Sequence, residues 1–344
     1  MLGRRMFVAG GAAIGAGLGL APQARAARQE EWASFRERFV SPEGRVLDTG
    51  NGGISHTEGQ GYGMLFAQHA DDRGSFERLW TWTEQNLRQT GTALHAWKYI
   101  PGAADPVPDP SSATDGELIL ALALSRAGRR WGDEGYRRAA QTLYRAVREK
   151  LVVRIGGRSF LLPGQNGFVF PQRTVINPSY YVFPALQDAA QDDPVWYDII
   201  RDGQVLLAVC RFGKWFLPPD WVELTGGGLV PAPAQGWPPR FSYNAVRVPL
   251  YMWWGRVFTD EDQATYSTFW NTFGPEHLPA WVDVTTNQCA PYSGPEGFRA
   301  IALCTGLTYD GALSDVLPSV LRSNDYYSAA LCMLARLASD DVLT

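Results

Sequence analysis

The chain has 344 residues, of which 45% are hydrophobic and 19% charged, and its formal net charge is −4. That length and apolar content allow one large core, and barrels of this size commonly form a single domain. The slight acidic balance, with no stripe of lysine and arginine, excludes the electrostatic footprint of a nucleic-acid-binding protein.

Residues 1–26 read as an export signal. Arg4 and Arg5 make a positive start, Val8 to Ala21 is apolar and uncharged, and Ala24-Arg25-Ala26 fits a small-x-small cleavage site. The apolar run is about 14 residues, short of the roughly 20 that span a bilayer. A membrane anchor is therefore the weaker alternative, and no stable membrane insertion is expected once the signal is removed. The twin arginine points to the export route for folded proteins, and so to a periplasmic or secreted chain with residues 27–344 as one domain.

From there the sequence reads as helix after helix. Phe76, Leu79, Trp80 and Leu87 share one face of residues 74–90. Residues 114–128 are apolar nearly all round, as in an interior helix. Tyr136, Ala139, Ala140, Leu143, Tyr144 and Val147 make the amphipathic stripe of residues 133–150. In all, twelve helices are expected, near 30–40, 60–70, 74–90, 114–128, 133–150, 178–190, 194–211, 243–257, 261–273, 294–306, 312–322 and 325–339. No fixed-period repeat is visible, so a toroid of six hairpins is preferred to a solenoid. Residues 159–162 and 167–170 are strand-like and are expected to pair over Pro163-Gly164-Gln165-Asn166.

Two long connections, 91–113 and 212–242, are rich in Pro, Gly and Trp. Long loops in a compact domain are usually functional. They carry Trp97, Trp215, Trp221 and Trp237, and flat indoles stack on the apolar faces of sugar rings. Ordinary loop packing explains any single one of them; the set points to carbohydrate. Of the four cysteines, Cys289 and Cys304 could pair in an oxidising compartment. Buried free thiols are the preferred reading, since Cys304 and Cys332 sit in apolar helical runs.

The chain has no Gly-x-Ser-x-Gly elbow, no His-Glu-x-x-His and no phosphate loop. Gly59-Gln60-Gly61-Tyr62-Gly63 lacks dinucleotide spacing. What remains is carboxylates in unusual settings: Glu58, flanked by glycine, and Asp115, each opening a helix. Favourable charge at a helix N-terminus explains either one equally well. Two carboxylates facing across a Trp-lined cleft would suit glycoside hydrolysis.

Several motifs together make the resemblance specific: His56-Thr57-Glu58-Gly59-Gln60-Gly61-Tyr62-Gly63-Met64, Gly44-Arg45-Val46-Leu47-Asp48, Ser112-Ala113-Thr114-Asp115-Gly116, Asn177-Pro178-Ser179-Tyr180, Asp220-Trp221-Val222, Ser242-Tyr243-Asn244-Ala245-Val246-Arg247-Val248 and Asp325-Tyr326-Tyr327. In order and spacing they resemble glycoside hydrolase family 8, and within it the branch encoded in bacterial cellulose-synthesis operons. The resemblance implies an all-α (α/α)6 barrel and inverting, endo-acting hydrolysis of a β-1,4-glucan such as cellulose. It implies no metal or organic cofactor, and cellulose-synthesis machinery as a partner. Carried over by position, Glu58 matches the general acid and Asp115 the acid beneath the cleaved sugar. Trp97, Tyr180, Tyr243, Asn244, Arg247 and Tyr327 match substrate contacts.

One position departs from the pattern. Related cellulases carry Asp, the usual general base, where this chain has Asn244, and an amide takes no proton from water near neutral pH. Some branches with Asn there place the base in the preceding loop, which here offers Asp220 and Glu223. Asp220 also stands in members that keep the usual base, which gives it a structural part and makes Glu223 the expected replacement. The alternatives are a carbohydrate-binding pseudoenzyme or a structural member of a cellulose-secretion assembly.

Overall fold

A computed structural model describes residues 22–225, 227 and 230–343. Residues 1–21, most of the expected export signal, lie outside the described residues. Among the described residues there are twelve α-helices. Six form a closed inner ring: α2 (Thr57–His69), α4 (Thr114–Trp131), α6 (Phe183–Asp192), α8 (Arg247–Trp254), α10 (Glu296–Cys304) and α12 (Tyr326–Leu343). Each packs on the next, and α12 returns to α2. Outside them lie α1 (Pro22–Phe39), α3 (Arg73–Leu87), α5 (Glu134–Leu151), α7 (Val195–Val209), α9 (Asp260–Phe273) and α11 (Leu313–Val316). This is the expected (α/α)6 barrel.

The division into rings follows from composition. In α4 every residue from Thr114 to Leu124 is buried, because an inner helix touches neighbours on all sides. In α5 only a stripe is buried, Ala140, Leu143, Tyr144, Val147 and Leu151, and the rest faces solvent. Glycine lets the inner helices approach closely. A Cβ on Gly61 would lie 2.7 Å from Cγ2 of Ile119, and one on Gly116 would lie 2.8 Å from the Glu58 nitrogen.

Some boundaries depart from the expected ones. α6 begins at Phe183 rather than near 178, because Pro178 opens a separate 3-10 turn and Pro184 restarts the helix. The expected hairpin of 159–162 with 167–170 does not form. Instead β3 (Val152–Ile155) pairs with β4 (Arg158–Leu161) across Gly156 and Gly157, both at positive φ, the two-residue turn that a hairpin favours. β5 (Val169–Phe170) pairs with β6 (Arg173–Ile176), which continues through β7 (Val222–Thr225) to β8 (Pro231–Pro233). The 212–242 connection is thus partly a sheet. All four cysteines are free, so Cys289 and Cys304 do not pair.

Two short contacts fix the 91–113 connection to the ring. β1 (Ser55–His56) pairs with β2 (Lys98–Tyr99), and the Thr57 N–H donates to the Trp97 carbonyl at 3.1 Å. Deeper down, fully buried His95 lies 3.1 Å from Glu117 of α4 and 2.9 Å from Glu84 of α3. Burial by itself would lower the His95 pKa, but the two carboxylates outweigh it and raise it to about 9. His95 and Glu117 stand two residues from Trp97 and Asp115, so this ion cluster sets the height of both.

Two measurements test this packing. Gly116→Ala should destabilise the fold by about 1–3 kcal/mol, read from a urea midpoint at unchanged slope, because the added methyl meets Thr57 and the backbone of Glu58. Because its folded pKa is raised, the His95 cluster stabilises fully below about pH 6.5, and that stabilisation is lost as pH rises through about 9. The stability deficit of His95→Gln should therefore be largest near pH 6 and shrink by up to ~3 kcal/mol by pH 10.

Candidate active site

The first turns of the inner helices, or the residues just before them, meet at one end of the barrel and floor a cleft of about 890 Å³. Glu58 comes from α2, Asp115 from α4, Tyr180 from the turn before α6 and Asn244 from the turn before α8. Pro295 leads into α10, and Tyr327 belongs to α12. Six positive helix ends therefore point at the floor. In a ring of six, α8 stands opposite α2, so Asn244 and Glu58 belong to facing walls.

Arg247 ties these walls together. Its guanidinium is buried, with 2% exposure. One nitrogen, Nη1, meets the Glu58 carboxylate, the Tyr62 hydroxyl at 3.1 Å and Asp115 Oδ2 at 3.4 Å. The other, Nη2, donates to Asn244 Oδ1 at 2.9 Å and to Ser179 Oγ at 3.1 Å. The Tyr62 hydroxyl also reaches Glu58 at 3.2 Å and Tyr251 at 2.6 Å. Glu58 thus lies in a polar, cationic setting. Burial pushes Asp115 up to about 7, against the lowering pull of the Gly116 N–H and of His56.

Trp97, Tyr180, Tyr243, Asn244, Arg247 and Tyr327 all line the cleft, as expected for substrate contacts. Glu223 does not. It lies on β7, ion-paired to Arg173 at 2.6 Å and accepting the Gln235 N–H at 3.0 Å. Those bonds outweigh the effect of burial and hold it below its ordinary range, and they join strands of the sheet. Glu223, the expected replacement base, is thus engaged within its own sheet and does not line the cleft.

Of the four loop tryptophans, Trp97 alone lines the cleft. Trp221 is sandwiched between Phe168 and Trp237, at 5.7 and 5.5 Å between centroids, which leaves neither face for a sugar. Trp215 packs on Phe269 and Phe273. These indoles brace loops. Sequence reasoning missed His56, Tyr292 and Asp325, which also line the cleft, as does Asp48, a fallback candidate for the base. Asp48 and Asp325 sat inside the quoted motifs, and His56 lies two residues before Glu58. Tyr292 carried no signal beyond being an aromatic in a loop. His56 caps α2, its Nδ1 accepting the Gly59 N–H at 3.0 Å, and its Nε2 lies 3.4 Å from Asp48.

Comparison with known proteins agrees with this geometry. The glycosyl hydrolases family 8 profile matches residues 9–341. A probable endoglucanase of Novacetimonas hansenii is 44% identical over 97% of both chains. An endoglucanase of Cellulomonas uda is 39% identical over 80% of this chain and 77% of its own. The solved endo-beta-1,4-glucanase CMCax of Acetobacter xylinum superposes with a TM-score of 0.89 at 44% identity, covering 93% of this chain and all of that one. An acid at the mouth of an (α/α)6 barrel, a cleft lined with aromatic rings and a match along nearly the whole chain lead to one conclusion: the protein is a glycoside hydrolase and belongs to family 8.

Proposed function

We propose that this hydrolase cuts β-1,4-glucan chains internally by a single displacement that inverts the anomeric centre, with Glu58 as the proton donor. The observation that carries the reading is the Glu58–Arg247–Asp115 cluster at the middle of an open cleft flanked by Trp97, Tyr180, Tyr243 and Tyr327. Flat rings beside paired carboxylates suit a sugar chain lying across the floor. The similar proteins are named endoglucanases, which supports the glucan and the endo action. A binding protein without turnover has Asn244 alone in its favour, and those names give it no support.

The charge balance explains the acid. One guanidinium faces two carboxylates in the floor, a balance that favours a proton shared among them. In this reading the leaving glycosidic oxygen takes that proton through Glu58, and Arg247 then remains to balance the carboxylates. Asp115, pushed up to about 7 by burial, is in part neutral and able to donate a hydrogen bond to a hydroxyl of the sugar above it.

An address outside the cytoplasm, beside a cellulose-synthesising assembly, is the corresponding physiological proposal. It rests on the twin arginine, the apolar run and the family resemblance. Mass spectrometry of the secreted protein should find an N-terminus after Ala26.

Reducing-sugar release from carboxymethylcellulose tests the activity, and NMR of the first product should show the α-anomer. Glu58→Gln should lower kcat by about 10²–10⁴-fold while the melting temperature stays within about a degree, since the amide keeps the bonds to Tyr62 and Arg247. A variant that keeps a third of the wild-type rate would remove Glu58 from the role.

A further inference from the structure

Arg247 poses a problem for the acid it holds. Its Nη1 meets Glu58 directly and stands 3.4 Å from Asp115 Oδ2, so the cation favours the ionised form of Glu58 more than that of Asp115. Acid catalysis needs the opposite division, with the shared proton on Glu58 when substrate arrives. The Arg247 and Tyr62 contacts both fall on Glu58 Oε1. Oε2 lies 3.9 Å from Nδ1 of His56, a cleft residue to which the reaction described above gives no part.

The hydrogen bonds around His56 fix where its own proton lies. Nδ1 accepts the Gly59 N–H at 3.0 Å, so it carries a lone pair and Nε2 carries the proton. Nε2 lies 3.4 Å from Asp48 Oδ2. Burial raises Asp48, but the bonds from His56, Asn51 and the Gly50 N–H outweigh it and hold this carboxyl below its ordinary range, ionised near neutral pH. An anion thus stands one imidazole away from Glu58, and the ring nitrogen beside the acid offers a lone pair, not an N–H. The ring is held edge-on against Tyr326 of α12 at 5.7 Å. Lys98, its partner in the β1–β2 pairing, carries its ammonium over the Trp97 ring at 4.4 Å, and Asp325 accepts the Ser328 N–H. A second proton, on Nδ1, would displace the Gly59 N–H and turn the ring into a cation. That charged form is the one that pulls Asp48 and Asp115 down.

We propose that Asp48 and His56 are a positioning pair that keeps the proton on Glu58. This rests on the reading above of Glu58 as the acid. The charge of Asp48 and the lone pair of His56 both disfavour a carboxylate at Glu58, on the side away from the Arg247 contact, and so offset the pull of the guanidinium. The same Nδ1 caps α2 at Gly59, which fixes the ring and the acid at one level. Neither residue gives or takes a proton in the reaction; both act through Glu58.

Two readouts test the pair, and one of them does not depend on turnover. With histidine labelled by nitrogen-15, the His56 signals, identified by their loss in His56→Asn, should show the Nε2–H tautomer near pH 7. An Nδ1–H tautomer or an imidazolium there would overturn the pair whether or not the enzyme is active. Wild type that fails to hydrolyse cello-oligosaccharides would instead reject the endoglucanase reading. In active enzyme the alkaline limb of kcat/KM reads the acid. Asp48→Asn removes the charge and should move that limb down by about one pH unit, a loss of about 10-fold near pH 8 relative to about pH 5. His56→Asn should move it the same way, because water then enters between the two carboxylates and screens Asp48. Asparagine is itself a favoured N-cap and can accept the Gly59 N–H, so the melting temperature should stay close to that of wild type and a lost cap would not account for the shift. Asp48 also holds the turn at Gly50 and Asn51; if Asp48→Asn does not fold, His56→Asn carries the test alone. A limb that stays in place or moves up in His56→Asn would overturn the pair.

Discussion

A single buried guanidinium organises the working end of this barrel. Arg247 comes from α8, yet its two nitrogens bind groups carried by α2, α4 and the turn before α6. A cation with 2% exposure is tolerated only where carboxylates and hydroxyls replace its water. That requirement runs both ways. It brings Glu58 and Asp115 to one nitrogen, so two carboxylates share one cation at the floor of the cleft. The closed inner ring makes the convergence possible, because it aims six helix N-termini at the same small volume.

Around this cluster the aromatic residues divide by task. Trp97, Tyr180, Tyr243 and Tyr327 offer surface to the cleft, while Trp221, Trp237 and Phe168 stack on one another and Trp215 joins the outer core. The stack clamps the 163–168 turn against the loop that leads to Asp220 and Ser242. Tyr180 touches it edge-on, so the cleft wall and its bracing are mechanically continuous. On the acid side the buried His95 cluster does the equivalent work, holding Trp97 and Asp115 at one level. Each side of the cleft is thus backed by a rigid element that never meets the substrate, which is how a site on loops reaches the precision that chemistry needs.

The wall facing the acid is where this chain departs from the usual family pattern. The amide of Asn244 preserves the hydrogen bond to Arg247 and the shape of the turn, and gives up the proton-accepting oxygen. One layer back, the Asp220 carboxylate holds the turn, accepting the Ser242, Asn244 and Ala245 N–H groups and the Ser242 hydroxyl. Glu223 is held within its sheet by the ion pair with Arg173 and the Gln235 N–H. Position in the sheet outweighs residue type.

Helical periodicity and motif order by themselves determined the helical barrel and the interior character of α4, and singled out the two candidate acids, because local burial is written in the spacing of apolar residues. Glu58 and Asp115 stood out for the same reason: glycines that permit tight α2–α4 packing flank them in the sequence. The tertiary structure alone decided which tryptophan reaches the cleft, what surrounds Glu58 and where the loop acids face. Each depends on partners distant along the chain: Trp221 on Phe168 and Trp237, Glu58 on Arg247, Glu223 on Arg173. The Gly156-Gly157 hairpin lay in the sequence unread, since two glycines allow the turn and the pairing of β3 with β4 then decides it. A residue type states what a group can do; which neighbours it meets, and therefore whether it does so, is settled when the ring closes.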